Sequence, residues 1–138
     1  MSSPMISIPE ALTRYASGDF LIVVDDLDRE NEGDLILLAS QATPEKVAFM
    51  VKHTTGILCV ALTKSRAREL NLPLMVENNE DERRTAFTVA VDFAPGITTG
   101  VSAIERARTI RALAEPSTMP KDLIRPGHVY PLVAHDHV

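Results

Sequence analysis

Six carboxylates lie within the ten residues DDLDRENEGD, positions 25–34. They belong to Asp25, Asp26, Asp28, Glu30, Glu32 and Asp34, and the single cation among them is Arg29. Repulsion between so many like charges is unfavourable unless a cation compensates. Mg²⁺ commonly binds one or two carboxylates together with water and substrate oxygens. The stretch therefore suits a metal-dependent site, but a solvated acidic loop has the same composition, and both interpretations stay open at this point.

A phosphate-binding loop is one interpretation of a second segment, ITTGVSAIE at 97–105. Two threonines and a glycine precede a predicted helix, where backbone N–H groups and hydroxyls suit an anionic ligand. The other interpretation is ordinary helix capping, with Ser102 as the N-cap and Glu105 completing a capping box. The local sequence is compatible with either.

Two further side chains, those of His128 and Cys59, are of types that can take part in catalysis. His128 follows a Pro-Gly turn signal in RPGHVYP, residues 125–131. Its imidazole could act as a general acid or base, although a histidine in a turn is more often structural. Cys59 lies inside an apolar run, which predicts a buried and inert thiol. A nucleophilic role would require a lowered thiol pKa.

Four apolar segments predict the strands that hold these residues. The acidic stretch connects FLIVVD (20–25) with DLILLAS (34–40), and their continuous apolar runs predict strands buried on both faces. ILCVAL (57–62) predicts a third strand, and the alternating AFTVAVD (86–92) predicts a fourth. Because loops between rigid strands commonly carry sites, the acidic stretch is well placed for one.

Helix start signals separate these strands. Capping boxes begin at Ser7 and Ser102, and Thr43 precedes a proline at the first helical position. Thr63 is the expected cap of a further short helix. Residues 76–84 predict a polar loop, and the tail predicts a turn followed by a strand. This order predicts an α/β fold, an α+β sandwich with helices packed on one mixed central sheet.

Length and composition limit the function classes. The chain has 138 residues, which suits one domain, and 45% of them are hydrophobic and 24% charged. A net charge of −5 without Lys/Arg clusters argues against a nucleic-acid partner. No apolar run approaches a membrane span, and the N-terminus lacks the pattern of a secretory signal. One cysteine fits the reducing cytoplasm.

Five segments occur in the order found in a known enzyme family. They are DDLDRENEGDLI, HTTGILCVAL, LPLMVENNEDERRTAFTVAVD, ITTGVSAIERARTIRAL and RPGHVYPL. In this order they resemble the 3,4-dihydroxy-2-butanone 4-phosphate synthases over nearly the whole chain, residues 5–133. DRENEGDL and RPGHV are highly specific in combination.

The resemblance implies a lyase of riboflavin biosynthesis. Members of the family convert D-ribulose 5-phosphate to L-3,4-dihydroxy-2-butanone 4-phosphate, releasing C4 as formate. They depend on Mg²⁺, for which Mn²⁺ can substitute. The resemblance also implies the family's α/β sandwich, a homodimer with residues of both subunits at each site, and a cytoplasmic location.

The resemblance also assigns roles to six residues. Glu30 is the metal ligand and takes part in substrate binding and catalysis, and Arg29 contacts the substrate. Asp34 binds a substrate hydroxyl and can act as a base, and His128 matches the catalytic histidine of RPGH. The last two match residues near the substrate: Thr99 and Cys59. The remaining acidic residues of the stretch are expected to shape the loop.

The sequence departs from the family pattern in four places. The family carries a second motif, R-x-G-H-T-E-A, after RPGH, and these 138 residues do not contain it. Val133, Glu105 and Arg84 stand where the family usually has Arg, Asp and Gly. The expectation is a single synthase-like domain, 1–138, truncated on its C-terminal side. The alternative is a catalytically inactive paralogue that binds a metal or a partner.

Overall fold

The strands pair in two separate ladders. The computed structural model describes residues 5–135. The strands β1 (Leu21–Val24) and β2 (Gly33–Ile36) form an antiparallel pair. The second ladder has the order β3-β5-β4, from β3 (Cys59–Leu62), β4 (Val91–Phe93) and β5 (Leu123–Val133). Since β3 is parallel and β4 antiparallel to β5, the prediction of an α/β fold with a mixed sheet is confirmed. The single central sheet is not, because within residues 5–135 β1 and β2 pair only with each other.

Four helices begin where the capping residues predict. They are α1 (Ile8–Ala16), α2 (Pro44–His53), α3 (Lys64–Glu69) and α4 (Ala103–Ala114). Each begins after a Ser or Thr whose hydroxyl accepts the N–H of the residue three positions later. The capping residues are Ser7, Thr43, Thr63 and Ser102. Among residues 5–135, no helix combines the length and hydrophobicity needed to cross a bilayer.

The hydrophobic core lies between α4, α2 and the three-stranded sheet. Val47 of α2, Leu113 of α4 and Val91 of β4 are fully buried there, as are Leu70 and Val129. The hydroxyl of Thr109 in α4 also accepts the backbone N–H of Phe93 at 2.9 Å. The core therefore fixes the position of β4. Through strand pairing, β4 in turn fixes the residues of β5 on either side of positions 125–128.

The expectation that β1 and β2 are buried on both faces is wrong. Ile22, Val23 and Val24 of β1 are 72%, 49% and 51% exposed. An antiparallel pair can leave one face uncovered, and within residues 5–135 helix α1 contacts β1 but leaves these side chains largely exposed. The side chains of Met5, Ile8 and Leu12 are exposed as well. We term β1 together with residues 5–12 of the N-terminal segment the apolar face. Residues of both segments line one groove on this face.

The predicted fourth strand is shorter than its sequence pattern, and the predicted turn at RPGH is part of a strand. Of residues 86–92, only the last two lie in β4, and Phe87 and Thr88 make isolated bridges. Val91 pairs with Val129 and Asp92 with Ile124, so residues 125–128 have no partner on β4. They form a bulge in β5, in which Pro126 follows a cis peptide bond. The Pro-Gly signal thus marks a bulge that carries His128.

Candidate functional site

Asp25 organises the acidic loop between β1 and β2. Its carboxylate accepts the backbone N–H groups of Glu30 at 2.9 Å and Glu32 at 3.0 Å, and the guanidinium of Arg29 at 2.8 Å. These N–H groups, followed by Arg29, lower the pKa of Asp25. One acid of the stretch therefore folds the loop, as expected of a loop-shaping residue, and Asp28 remains exposed.

Glu30 lies between two cations. Its carboxylate is 3.5 Å from Arg29 and 3.7 Å from Arg83. Arg83 also donates to the backbone carbonyl of Arg29 at 3.2 Å, which ties residues 76–84 to the acidic loop. Arg83 was not anticipated from the sequence, because it lies 54 residues away from Arg29 in a segment that reads only as a polar loop.

Glu30 fits a metal ion as a single carboxylate ligand. Within residues 5–135 there is no cluster of three or more His, Cys, Asp or Glu side chains that could hold an ion. Mg²⁺ needs only one or two protein carboxylates and takes its remaining ligands from water and substrate oxygens. The described residues thus offer one carboxylate, that of Glu30, that could contribute to a site for a divalent ion.

The negative charge of Asp34 in β2 acts on the thiol of Cys59 in β3. Partial burial raises the pKa of the Cys59 thiol, and the negative charge of Asp34 raises it further. Cys59 is exposed, so the expectation of a buried thiol is wrong. The raised pKa favours a neutral thiol and gives no support to a nucleophilic role.

His128 is held by Asp92. The backbone N–H of His128 donates to one carboxylate oxygen of Asp92 at 2.9 Å, and its Nδ1 lies 2.8 Å from the other. The Asp92 side chain is 5% exposed, whereas that of His128 is 44% exposed. The ring is thus fixed on one edge and open on the other, as a proton-transferring histidine must be.

Glu105 holds the loop that bears Thr99. Its carboxylate accepts the backbone N–H and the hydroxyl of Thr98, the N–H of Gly100 at 3.1 Å and the hydroxyl of Ser102 at 3.0 Å. These donors, with Thr98 first, lower the pKa of Glu105 to about 2. Ser102 is the N-cap as predicted, but the predicted capping box is wrong, because the Glu105 carboxylate accepts the amides of Thr98 and Gly100 rather than that of Ser102.

The phosphate interpretation of this loop needs a correction. The amides of Thr98 and Gly100 already donate to Glu105, so an anion could not bind them without displacing a carboxylate. Thr99, between them, is exposed and makes no hydrogen bond in the described part of the chain. Its hydroxyl and amide are the groups of this loop that a ligand could reach.

The candidate residues therefore lie in two groups. Gly100 lies against both Asp92 and His128, which places Thr99 beside the histidine. Arg29 and Glu30 lie together on the acidic loop. In the parallel pairing of β3 with β5, Cys59 is opposite Tyr130, two residues beyond His128. No hydrogen bond or ion pair within residues 5–135 links Glu30 directly to His128.

Asp92 and Arg83 are the functional candidates that sequence reasoning missed. For Asp92 a signal exists, since an Asp at the end of an apolar segment breaks the β pattern. Its partner His128 lies 36 residues further along the chain. No periodicity or cap links two positions at that separation.

The chain matches the family model for 3,4-dihydroxy-2-butanone 4-phosphate synthase over residues 9–138. A curated 3,4-dihydroxy-2-butanone 4-phosphate synthase of Candida albicans is 52% identical over 134 residues, covering 97% of this chain and 66% of that protein. The probable bifunctional riboflavin biosynthesis protein RIBA 1, chloroplastic, of Oryza sativa subsp. japonica is 56% identical, covering 91% of this chain and 24% of that protein.

A solved structure has the same fold. It is a 3,4-dihydroxy-2-butanone 4-phosphate synthase in complex with two magnesium ions, 47% identical, with a TM-score of 0.93, and the match covers 96% of this chain and 62% of that one. The chain spans less than two thirds of the length of these relatives. By its sequence and its fold, this chain belongs to the 3,4-dihydroxy-2-butanone 4-phosphate synthase family.

Proposed function

We propose that this chain carries synthase chemistry, the conversion of D-ribulose 5-phosphate to L-3,4-dihydroxy-2-butanone 4-phosphate and formate. The observation that carries the proposal is the acidic loop. Asp25 folds it so that Glu30 stands between Arg29 and Arg83. A loop that only needed solvation would not require this internal order. The names of the relatives, at about half identity, support the same reaction.

The roles follow from what each side chain can do. Arg29 and Thr99 bind the substrate through charge and hydrogen bonds, and Asp34 accepts a substrate hydroxyl and serves as a base. His128 moves protons at the open edge of its ring. Cys59 contacts the substrate as a neutral thiol, in keeping with its raised pKa.

A divalent ion, Mg²⁺ or Mn²⁺, would be held by Glu30. When bound, it would polarise the hydroxyl and carbonyl oxygens of the sugar as a Lewis acid. The guanidinium groups of Arg29 and Arg83 lie 3.5 and 3.7 Å from the same carboxylate. The magnesium complex of the related structure supports the binding of a divalent ion.

The working form is a homodimer in the cytoplasm. The apolar face supports a dimer, because several large apolar side chains exposed on one surface indicate an interaction site. The cytoplasmic assignment is supported by the single, unpaired thiol of Cys59, which suits a reducing compartment.

Formate release from D-ribulose 5-phosphate with Mg²⁺ tests the proposal. Because the Candida albicans protein extends beyond the matched region, the assay includes a chimera in which the part of that protein following the match is joined to residue 138. We expect metal-dependent formate from the chain or the chimera, and a loss on the order of 10²-fold in Glu30→Gln. Asp28→Asn, an equal charge change at an exposed residue of the same loop, is the control.

The alternative of an inactive metal- or partner-binding domain predicts a different result. Neither the chain nor the chimera would release formate, although the Candida albicans protein does so in the same assay. Mg²⁺ binding that is abolished by Glu30→Gln, without any response to the pentose phosphate, would then favour the binding domain.

A further inference from the structure

We propose that Asp92 is a positioning residue for the reaction, which holds His128 with its proton on Nδ1 and leaves Nε2 as the nitrogen that exchanges protons with the substrate. The proposal rests on the function proposed above. Asp92 ends one of the five segments that carry the resemblance, but it is not among the six residues to which the sequence assigned a role. It acts through His128 without touching the substrate.

Both oxygens of Asp92 bind the same residue. Oδ1 accepts the backbone N–H of His128 at 2.9 Å, and Oδ2 lies 2.8 Å from Nδ1. One bond fixes the main chain at the end of the bulge, and the other fixes the ring. A carboxylate that makes both contacts restricts the position and the rotation of the imidazole together.

The same geometry determines which nitrogen carries the proton. An ionised carboxylate only accepts hydrogen bonds, so Nδ1 must be the donor to Oδ2. In the neutral ring the proton is then on Nδ1, and Nε2 has the free lone pair. Since 44% of the His128 side chain is exposed, Nε2 is left on the open side of the ring.

The surroundings of Asp92 are closely packed. A Cβ built on Gly100 would lie 2.2 Å from Oδ2 of Asp92 and 3.0 Å from Nδ1 of His128, so Gly100 packs directly over this hydrogen bond. The next residue, Phe93, is tied to α4 through Thr109. Asp92 itself is 4% exposed. Water therefore has little access to the hydrogen bond, which strengthens it.

Ring-nitrogen NMR of His128 in the ¹⁵N-labelled protein tests the proposal without requiring turnover. In the neutral ring we expect the proton on Nδ1. In Asp92→Asn the amide oxygen can keep the backbone N–H, while its NH₂ group now faces Nδ1 and donates to it, so the proton should move to Nε2. Asp92→Glu keeps an accepting carboxylate and should retain the proton on Nδ1. A neutral ring with its proton on Nε2 in the unsubstituted protein would overturn the proposal.

Kinetics in the active form, chain or chimera, give the second readout. Asp92→Asn should lower kcat by about 10²-fold or more, as expected when a histidine is held in the wrong tautomer, and leave KM within about threefold. Asp122→Asn is the matched control, because Asp122 accepts a backbone N–H from Met119 at 2.8 Å and does not bind His128. Equal losses in the two variants, or a fall in kcat explained by lower thermal stability, would contradict a positioning role.

Different results would refute the proposed function and the positioning role of Asp92. An unsubstituted protein and chimera without turnover would refute the proposed function. The tautomer experiment would still decide whether Asp92 sets the ring, since the same proton position in Asp92→Asn and in the unsubstituted protein would refute the positioning role alone.

Discussion

At the scale of single residues, two carboxylates hold loops of the candidate site in place by accepting hydrogen bonds from their backbone amides. Asp25 gathers the amides of the acidic loop, and Glu105 gathers those of the loop that bears Thr99. In each case backbone N–H donors lower the pKa of the carboxyl. Such residues hold the loops in the geometry that substrate groups need.

Glu105 should make the stability of the protein fall in acid. Its pKa is about 2 in the folded chain and 4.5 ordinarily, so the unfolded state binds more protons between these values. The stabilisation is present above pH 4.5 and is lost as the pH falls towards about 2. Urea unfolding at a series of pH values should therefore show a shallower acid dependence for Glu105→Gln than for the unsubstituted protein. Parallel curves would contradict this assignment.

At the scale of elements, the backbone of two segments constrains which residues they accept. Arg84 has a φ of +54° at the end of the loop that carries Arg83. Gly127 lies in the bulge of β5 directly before His128. The first position favours glycine but has arginine, and the second has glycine because nothing larger fits.

Arg84→Gly should stabilise the protein. A side chain in the left-handed region costs about 1–2 kcal/mol, and the greater flexibility of glycine in the unfolded chain offsets part of this. We expect a net gain of up to about 1 kcal/mol in the free energy of unfolding, measured with denaturant. Arg84→Ala removes the same charge without relieving the backbone and is the control. A gain that is equal in both variants would show that the charge is responsible.

Gly127→Ala should displace the bulge. A Cβ at this position would lie 2.0 Å from the carbonyl carbon of Val91, a backbone atom that cannot rotate away. We expect a loss of stability of about 3 kcal/mol or more, together with a changed ring environment of His128 by NMR. Gly33→Ala is the control, because its Cβ would meet Ile22 at an ordinary 3.4 Å. A stable Gly127→Ala variant with an unchanged His128 spectrum would contradict the account of the bulge.

At the scale of the whole molecule, the features that could be predicted from the sequence are those determined by residues close together in the chain. The four helix starts were predictable, since a cap and the amide that it accepts lie three residues apart. The exposure of β1 was not, because burial depends on what packs over a strand. The bulge at RPGH and the pair of Asp92 with His128 depend on strand register, which is set by contacts between distant segments.

The apolar face should mediate self-association. Ile22, at its centre, is 72% exposed, and Ile22→Glu should raise the dissociation constant of the homodimer at least ~10-fold by burying an unpaired charge. Analytical ultracentrifugation measures the effect. Met119→Glu, an exposed apolar residue outside this face, is the control. Equal self-association of the two variants would place the dimer interface elsewhere.

The reaction itself is tested most directly by the fate of one carbon. D-ribulose 5-phosphate labelled with ¹³C at C4 is incubated with Mg²⁺ and the chain or its chimera, and the products are followed by NMR. We predict that the label appears in formate and that the four-carbon phosphate product is unlabelled. Label retained in the sugar phosphate, while the Candida albicans protein releases labelled formate under the same conditions, would contradict the synthase assignment.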